Sequence, residues 1–327
     1  MTTTKHMVKL GETGPEILRI GLGCMGMSGM YGPTEEAESV ATIQHAIERG
    51  VRLLDTGDFY GMGHNERLVG KAIAGRRDGL VISVKFGALR APGGAWLGVD
   101  TRPAAVKNFA AYSLDRLGVD AIDVYRPARL DPNVPIEDTV GAIGELIDAG
   151  HVKHVGLSEV GADTIRRAAA VRPIADLQIE YALVTRGPEA KIFPALREVG
   201  ASATLYGVFS RGLLTGSRPS GPRDYRQYLP RFTTSENQTA VDAFAALARE
   251  LDRTPAQLAL GWVLAKQPGF VPLIGAKTRR HVDDALDTLE RPLADDELAA
   301  VEKVMPASAI EGTRYAAPQM AHLDSER

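Results

Sequence analysis

The sequence predicts an α/β fold, a (β/α)8 TIM barrel, and three observations carry that prediction. Short β-branched runs alternate with longer helical patterns, eight of each. Glycines stand where four of the helical patterns hand over to the next strand. No shift of composition divides the chain, so residues 1–327 are predicted to form a single barrel domain.

The strand-like runs are 17–22, 51–55, 80–84, 121–125, 152–157, 175–179, 201–205 and 270–273. Helical patterns lie near 35–49, 65–74, 103–117, 138–149, 162–171, 189–199, 237–266 and 278–288. Gly50, Gly118, Gly150 and Gly200 are predicted left-handed caps, because glycine adopts that conformation without a Cβ penalty. Thr34 and Thr101 are predicted N-caps, with acidic residues following Thr34 in the first turn. Outside the eight units, 7–19 read as an N-terminal β-hairpin turning at Gly11-Glu12-Thr13-Gly14 and closing the barrel floor. Residues 212–236 form a long loop after strand 7, rich in Gly, Pro, Ser and Arg, which places it on the active-site face. The tail after about 307 has weak pattern and leaves two readings open, folded over that face or loose.

The 327 residues are 44% hydrophobic and 24% charged, with 38 basic against 41 acidic side chains and a net charge of −3. That balance contains no basic block to attract nucleic acid. No apolar run approaches the roughly 18 residues of a membrane span, and residues 1–6 lack an apolar signal core. The single cysteine, Cys24, rules out an internal disulfide and fits a reducing compartment, so a cytoplasmic location is expected. Oligomeric state is left open, a homo-oligomer included.

Several motifs have plainer readings than their patterns suggest. Gly21-Leu22-Gly23-Cys24-Met25-Gly26 fits the dinucleotide fingerprint G-x-G-x-x-G, with Asp55 ending the next strand. That fingerprint needs a helix starting inside the glycine loop, whereas Ser28, Gly29, Gly32 and Pro33 delay the helix to about residue 35. Cys24 reads as a small packed residue rather than a nucleophile. His151 and His154 straddle a turn and a strand, so no metal site is expected. Asp131, Glu137 and Asp138 read as solvating and capping the start of a helix. Met25, Met27 and Met30 suit a soft pocket lining and loop packing about equally.

The chemistry lies in Asp55, Tyr60 and Lys85. A barrel gathers the C-terminal ends of its strands at one mouth. Asp55 ends the second strand, Tyr60 lies on the loop after it, and Lys85 ends the third. A free tyrosine ionises near pH ~10, and a nearby ammonium is expected to lower that value. Asp55 pairs with Lys85 and holds it recessed, so Tyr60 can protonate an oxygen that is becoming an alkoxide. The alternative is a structural ion pair beside a packed tyrosine.

Wider motifs favour the first reading. The glycine segment from Gly21 to Ser28, the Asp55–Tyr60–Gly61 block, Gly63-His64-Asn65-Glu66, Lys85-Phe86-Gly87 and Arg116-Leu117-Gly118-Val119-Asp120 occur in that order. Pro135-Ile136-Glu137-Asp138-Thr139, Gly156-Leu157-Ser158-Glu159 and Gln178-Ile179-Glu180-Tyr181 follow. Together, over about residues 8 to 290, they resemble the aldo-keto reductase superfamily, nearest to the bacterial and plant enzymes related to potassium-channel β-subunits. The resemblance implies a (β/α)8 barrel, NADP(H) and carbonyl reduction. By motif, Asp55, Tyr60 and Lys85 match three members of the family's catalytic tetrad, with Tyr60 as general acid. For the cofactor it implies Gly23, Met25 and Asp55. Ser158 and Gln178 match the carboxamide ligands, and Tyr206 the aromatic that stacks on nicotinamide. Ser210, Arg211, Gly212 and Leu213 would lie along the pyrophosphate. Gly275, Lys277, Arg279 and His281 fall in the 2′-phosphate segment, where cations favour NADPH over NADH. Gly207-Val208 replaces the family's Ser-Pro, and Asp284-Ala285 replaces its Glu-Asn, removing an expected adenine contact.

The fourth tetrad member, a histidine, should stand three residues after Tyr125 and three before Asp131. That position is Ala128, which has no donor. Losing one such donor commonly costs about 10²–10³ in rate. Arg126 and Arg129 are candidate substitutes. Arg126-Pro127 also departs from the family pattern, which favours divergence of the whole segment over an isolated replacement. The function expected is NADPH-dependent reduction of an aldehyde or ketone, with the reverse oxidation equally allowed. The alternative is an NADPH-binding redox-sensing or regulatory subunit with negligible turnover. A substrate pocket is expected to draw on Met25, Met27, Tyr31, Phe59, Phe86, Trp96 and the 212–236 loop, which identifies no particular small-molecule carbonyl.

Overall fold

The structure, a computed structural model, describes residues 6–221 and 224–327. Residues 1–5 of the amino-terminal stretch, and residues 222 and 223 of the long loop, lie outside the described residues. The chain opens with an antiparallel hairpin of β1 (Met7–Lys9) and β2 (Glu16–Leu18). Eight parallel strands follow: β3 (Gly21–Gly23), β4 (Leu53–Gly57), β5 (Val81–Phe86), β8 (Ile122–Pro127), β9 (Val152–Ser158), β10 (Ile174–Glu180), β11 (Ser202–Tyr206) and β12 (Val271–Gly275). They close into a barrel in chain order, β12 pairing back onto β3. A second hairpin, β6 (Ala88–Arg90) with β7 (Trp96–Val99), follows β5 and was not predicted.

Around the barrel run α1 (Glu36–Glu48), α2 (His64–Ile73), α3 (Pro103–Leu117), α4 (Ile136–Asp148), α5 (Ala162–Val171) and α6 (Ile192–Glu198). The short α7 (Pro230–Thr233) lies in the long loop, before α8 (Asn237–Glu250) and α9 (Pro255–Lys266). Then come α10 (Arg279–Glu290), α11 (Asp295–Val304) and the short α12 (Ala317–Met320) of the tail. No helix among the described residues is long and apolar enough to cross a membrane.

The predicted floor is present. Leu10 and Ile17 of the hairpin pack with Leu53, Val81, Val124, Val271 and Leu273 inside the bottom of the barrel. Each large aliphatic side chain buried this way contributes about 1.5–3 kcal/mol. The hairpin turn is fixed to the barrel by the Glu12 amide donating to the Gly200 carbonyl at 2.8 Å. Gly50, Gly118, Gly150 and Gly200 all have the predicted positive φ.

Several boundaries differ from the sequence reading. The run 17–22 is divided: Ile17 and Leu18 belong to the floor hairpin, and only Gly21–Gly23 joins the barrel. The helical pattern 237–266 is two helices. Asp252 turns the chain at φ 51, and Thr254 with Gln257 forms a capping box in front of Pro255, whose missing N–H suits a first turn. Neither Thr34 nor Thr101 caps a helix by its side chain. The hydroxyl of Thr34 donates to the Met27 carbonyl, and that of Thr101 accepts from Thr139. Of the two readings left open for the tail, the structure takes the first: residues of the tail lie over the mouth.

Candidate active site

Strand register places the catalytic candidates. In β4 and β5, Asp55 pairs with Ser83 and Gly57 with Lys85, so Lys85 stands one inward-facing position above Ser83. Lys85 Nζ donates to Asp55 Oδ1 at 2.5 Å and to Gln178 Oε1 at 2.7 Å. Asp55 Oδ2 accepts from Gln178 Nε2 at 2.7 Å and from Ser83 Oγ at 3.0 Å. Gln178 comes from β10, across the barrel from β4. Its amide is thus committed to the Asp55–Lys85 pair, although it also lines the cavity where a carboxamide ligand was expected.

Tyr60 sits on the turn after β4, its amide bonded to the Gly57 carbonyl at 3.1 Å and its ring edge-on to Phe59. Lys85 Nζ lies over the Tyr60 ring, 5.2 Å from its centroid. The sequence expected this ammonium to lower the phenol's pKa, and the structure gives the opposite direction. Burial pushes Tyr60 well above its usual range, and the charge of Asp55 and the phenols of Tyr31 and Tyr315 push the same way. The cation that opposes them is Arg129. Burial pulls Lys85 below its ordinary value, with Asp55 resisting. The reason is geometric: the ammonium is bonded to Asp55 and Gln178 and faces the ring. Burial likewise pushes the Cys24 thiol up and leaves it packed.

A second polar layer lies beneath. Arg126, fully buried, donates to Asp176 Oδ2 at 3.0 Å, Thr204 Oγ1 at 3.2 Å and Ser83 Oγ at 2.8 Å. It is absent from the cavity wall and so cannot stand in for the missing histidine. Arg129 does line the cavity, beside Ala128.

The cavity has a volume of about 1110 Å³ and contains Asp55, Tyr60, Lys85, Ser158, Gln178 and Tyr206 on its wall. Gly23, Met25, Arg211, Gly212, Gly275, Lys277 and His281 line it too. Leu213 does not; its side chain is in the core. Arg279 is also off the wall and pairs with Glu38 at 3.3 Å on the surface. Of the expected substrate lining, Met25, Tyr31, Phe59 and Trp96 are present. Met27 and Phe86 are core residues instead. Alternation along β5 explains Phe86: with Lys85 facing inward, Phe86 faces outward and stacks on Tyr125, centroids 4.2 Å apart.

The residues suit a dinucleotide. Ser210 Oγ is buried without a hydrogen-bond partner, in a run where Ser210, Arg211 and Gly212 all have positive φ. Ser210 is itself off the cavity wall, but its neighbours Phe209 and Arg211 are on it, and such a turn with an unspent buried hydroxyl suits a phosphate ligand. Lys277 has no carboxylate partner among the described residues and donates to the Tyr31 carbonyl. The guanidinium of Arg211 is paired with Glu180 at 2.6 Å, so its charge is already matched.

Sequence reasoning missed what the tail contributes. Arg314 chelates Glu159, donating from Nη1 at 2.9 Å and from Nη2 at 2.5 Å. Glu159 also accepts from Tyr206 and from Ser325 Oγ, each at 2.7 Å. Burial would raise the Glu159 carboxyl, but Arg314 outweighs it and holds the group down at about 2. Tyr315 then meets Tyr206, hydroxyl to hydroxyl, at 2.8 Å. Only the Arg-Tyr pair in an otherwise unpatterned tail could have signalled this.

With this geometry in hand, comparison with known proteins is direct. The aldo/keto reductase family model matches residues 19–306. A probable aldo-keto reductase from Glycine max is 36% identical over 316 residues, covering 94% of this chain and 91% of its own. Among solved structures, a glycerol dehydrogenase from Gluconobacter oxydans is similar at TM-score 0.82 and 26% identity, covering 95% of this chain and 99% of that one. The holo form of an aldo-keto reductase from Bacillus halodurans is similar at TM-score 0.76 and 28% identity, covering 92% and 97%. The chain belongs to the aldo/keto reductase family, whose members are oxidoreductases acting on carbonyl groups.

Proposed function

We propose that the protein reduces an aldehyde or ketone to the alcohol with NADPH, reversibly, with Tyr60 as the general acid. The observation that carries this reading is the Asp55–Lys85 pair lodged against the Tyr60 ring at the wall of the cavity. NADPH supplies the hydride when bound. Ser210 and the turn through Gly212 would hold its pyrophosphate, Lys277 and His281 its 2′-phosphate, and Ser158 and Tyr206 its nicotinamide end. Lys277, rather than Arg279, is the cation this reading relies on for NADPH preference, because Arg279 is engaged on the surface.

The raised pKa of Tyr60 keeps the phenol protonated, as a donor must be before the reaction. As negative charge develops on the carbonyl oxygen, proton release from Tyr60 leaves a phenolate that Arg129 stabilises, while Lys85 supports the ring from its face. Asp55, held by Ser83 and Gln178, fixes Lys85 for that role. Exchanging Tyr60→Phe is expected to lower turnover by about 10²–10⁴ while NADPH binding, followed by fluorescence, stays close to native. Equal turnover in the two proteins would remove Tyr60 from the mechanism.

Ala128 supports a second reading, an NADPH-binding regulatory subunit with negligible turnover, because no imidazole stands where the family has one. Loss of NADPH absorbance with activated aldehydes, α-dicarbonyls and cyclic ketones separates the two. Turnover that depends on Tyr60 supports the reductase. Tight cofactor binding without turnover, with recovery in Ala128→His, supports the regulatory subunit.

A further inference from the structure

Two arginines on one side of the cavity have no carboxylate partner among the described residues. Arg129 follows β8, and Arg90 ends β6 in the hairpin that follows β5. Strands β5 and β8 are neighbours, so the two cations share a sector of the mouth. Going either way round the barrel, β8 stands four strands from β12. The residues proposed for the cofactor phosphates follow β11 and β12, so Arg129 lies across the mouth from them. The other lysines and arginines of the wall are accounted for. Lys85 is paired with Asp55, Arg211 with Glu180 and Arg226 with Asp224. Lys277 and His281 stand at the cofactor end.

Arg129 is held ready. One terminal nitrogen donates to the Ala128 carbonyl at 2.6 Å and the other to the Tyr315 hydroxyl at 3.2 Å. The remaining N–H groups are uncommitted, and the guanidinium lies 5.7 Å from the Tyr315 ring centroid. Burial opposes its charge, but Tyr315, Tyr206 and Glu159 overcome that and hold it protonated. Ala128 has no side chain to fill the space an imidazole would take beside it. Arg90 lies between Phe59, at 5.7 Å, and Trp96, at 5.1 Å, with one bond to the Gly94 carbonyl. Phe59 packs directly on Tyr60.

A recessed guanidinium without a counter-ion, beside the proton donor and facing an open cavity, is a site for an oxyanion. Planar paired donors suit carboxylate and phosphate alike. We propose that the substrate is a carbonyl compound bearing a carboxylate or phosphate group, which Arg129 binds while the carbonyl faces Tyr60. Arg90 adds attraction at the rim. The inference rests on the reductase reading and narrows its substrate class.

Matched substrates test it. Para-formylbenzoate is compared with its methyl ester, and glycolaldehyde phosphate with glycolaldehyde, by the specificity constant kcat/KM. Each pair is assayed with the native protein, Arg129→Gln and Arg129→Lys. Native protein is expected to prefer the anionic member of at least one pair by ~10- to 100-fold, the scale of a hydrogen bond to a charged group, mainly through KM. The pair showing the preference identifies carboxylate or phosphate as the source. The ratio is expected to fall toward one in Arg129→Gln and to survive in part in Arg129→Lys. Equal values within both pairs overturn the proposal, as does an unchanged ratio in Arg129→Gln. Should no aldehyde be turned over, the reductase reading fails, and calorimetry on the NADP⁺-saturated protein decides the anion site separately. Benzoate binding that exceeds benzamide binding and is lost in Arg129→Gln sustains the site. Equal binding of the two overturns it.

Discussion

Two ion pairs lie within the same barrel, one above the other, and their depth separates their roles. Arg126 and Asp176 are wholly shielded from solvent. Lys85 and Asp55 keep a trace of exposure, 5% and 6%, because they face the cavity. The lower pair has every reason to be structural: it bonds Ser83, Thr204 and the Leu157 carbonyl and reaches no space a ligand could enter. The upper pair touches Tyr60 on one side and Gln178 on the other. Ser83 joins the layers by accepting from Arg126 and donating to Asp55. A buried cation–aspartate pair thus serves as scaffold or as chemistry according to whether it borders a space where a reacting group can sit.

Breaking each pair by one partner tests that division. Lys85→Met is expected to cut turnover by about 10² or more, with a moderate fall in stability, because Asp55 keeps its bonds from Ser83 and Gln178. Arg126→Met leaves Asp176 buried and unpaired, and is expected to cost about 3–5 kcal/mol in denaturant unfolding. A variant at Arg126 that lost turnover without losing stability would erase the distinction.

A smaller effect sharpens the upper layer by pH. Asp58 ties the two catalytic loops, its amide donating to the Lys85 carbonyl and its carboxylate accepting from the Gly87 amide. Burial pushes its carboxyl up to about 7. A raised acid holds its proton longer when folded than when unfolded. Its contribution is therefore complete below the ordinary value near ~4 and is lost as pH rises to about 7. Stability measured from pH 5 to 7 should fall relative to Asp58→Asn by up to ~1.4 kcal/mol per pH unit, and the difference should level off above that range. Parallel curves for the two proteins would rule the titration out. Smallest of all, Ser83→Ala removes the link between the layers, and a loss of about 1–2 kcal/mol in unfolding free energy is expected. No measurable loss would mean that the two pairs stand independently.

How much of this was legible varies by element. The glycine caps were readable because a positive φ depends on the local residue alone. The β6–β7 hairpin was not, since Trp96 and Leu97 are exposed and leave no alternation between buried and exposed positions. Phe86 was misplaced as pocket lining because a motif gives adjacency in sequence, while a strand sends neighbours to opposite faces. The direction of the Tyr60 shift was misread because burial, which dominates it, is not legible from the proximity of Lys85.

The sequence by itself determined the barrel, the floor hairpin and the grouping of Asp55, Tyr60 and Lys85, because these follow from periodicity, local backbone preference and ordered motifs. Only the tertiary structure decided that Arg126 is locked below the site, that Arg129 is left without a counter-ion, and that Arg314 and Tyr315 return from the tail to Glu159 and Tyr206. Those outcomes depend on contacts between residues as much as 186 positions apart, where burial and the sum of surrounding charges, not residue type, set what each group can do.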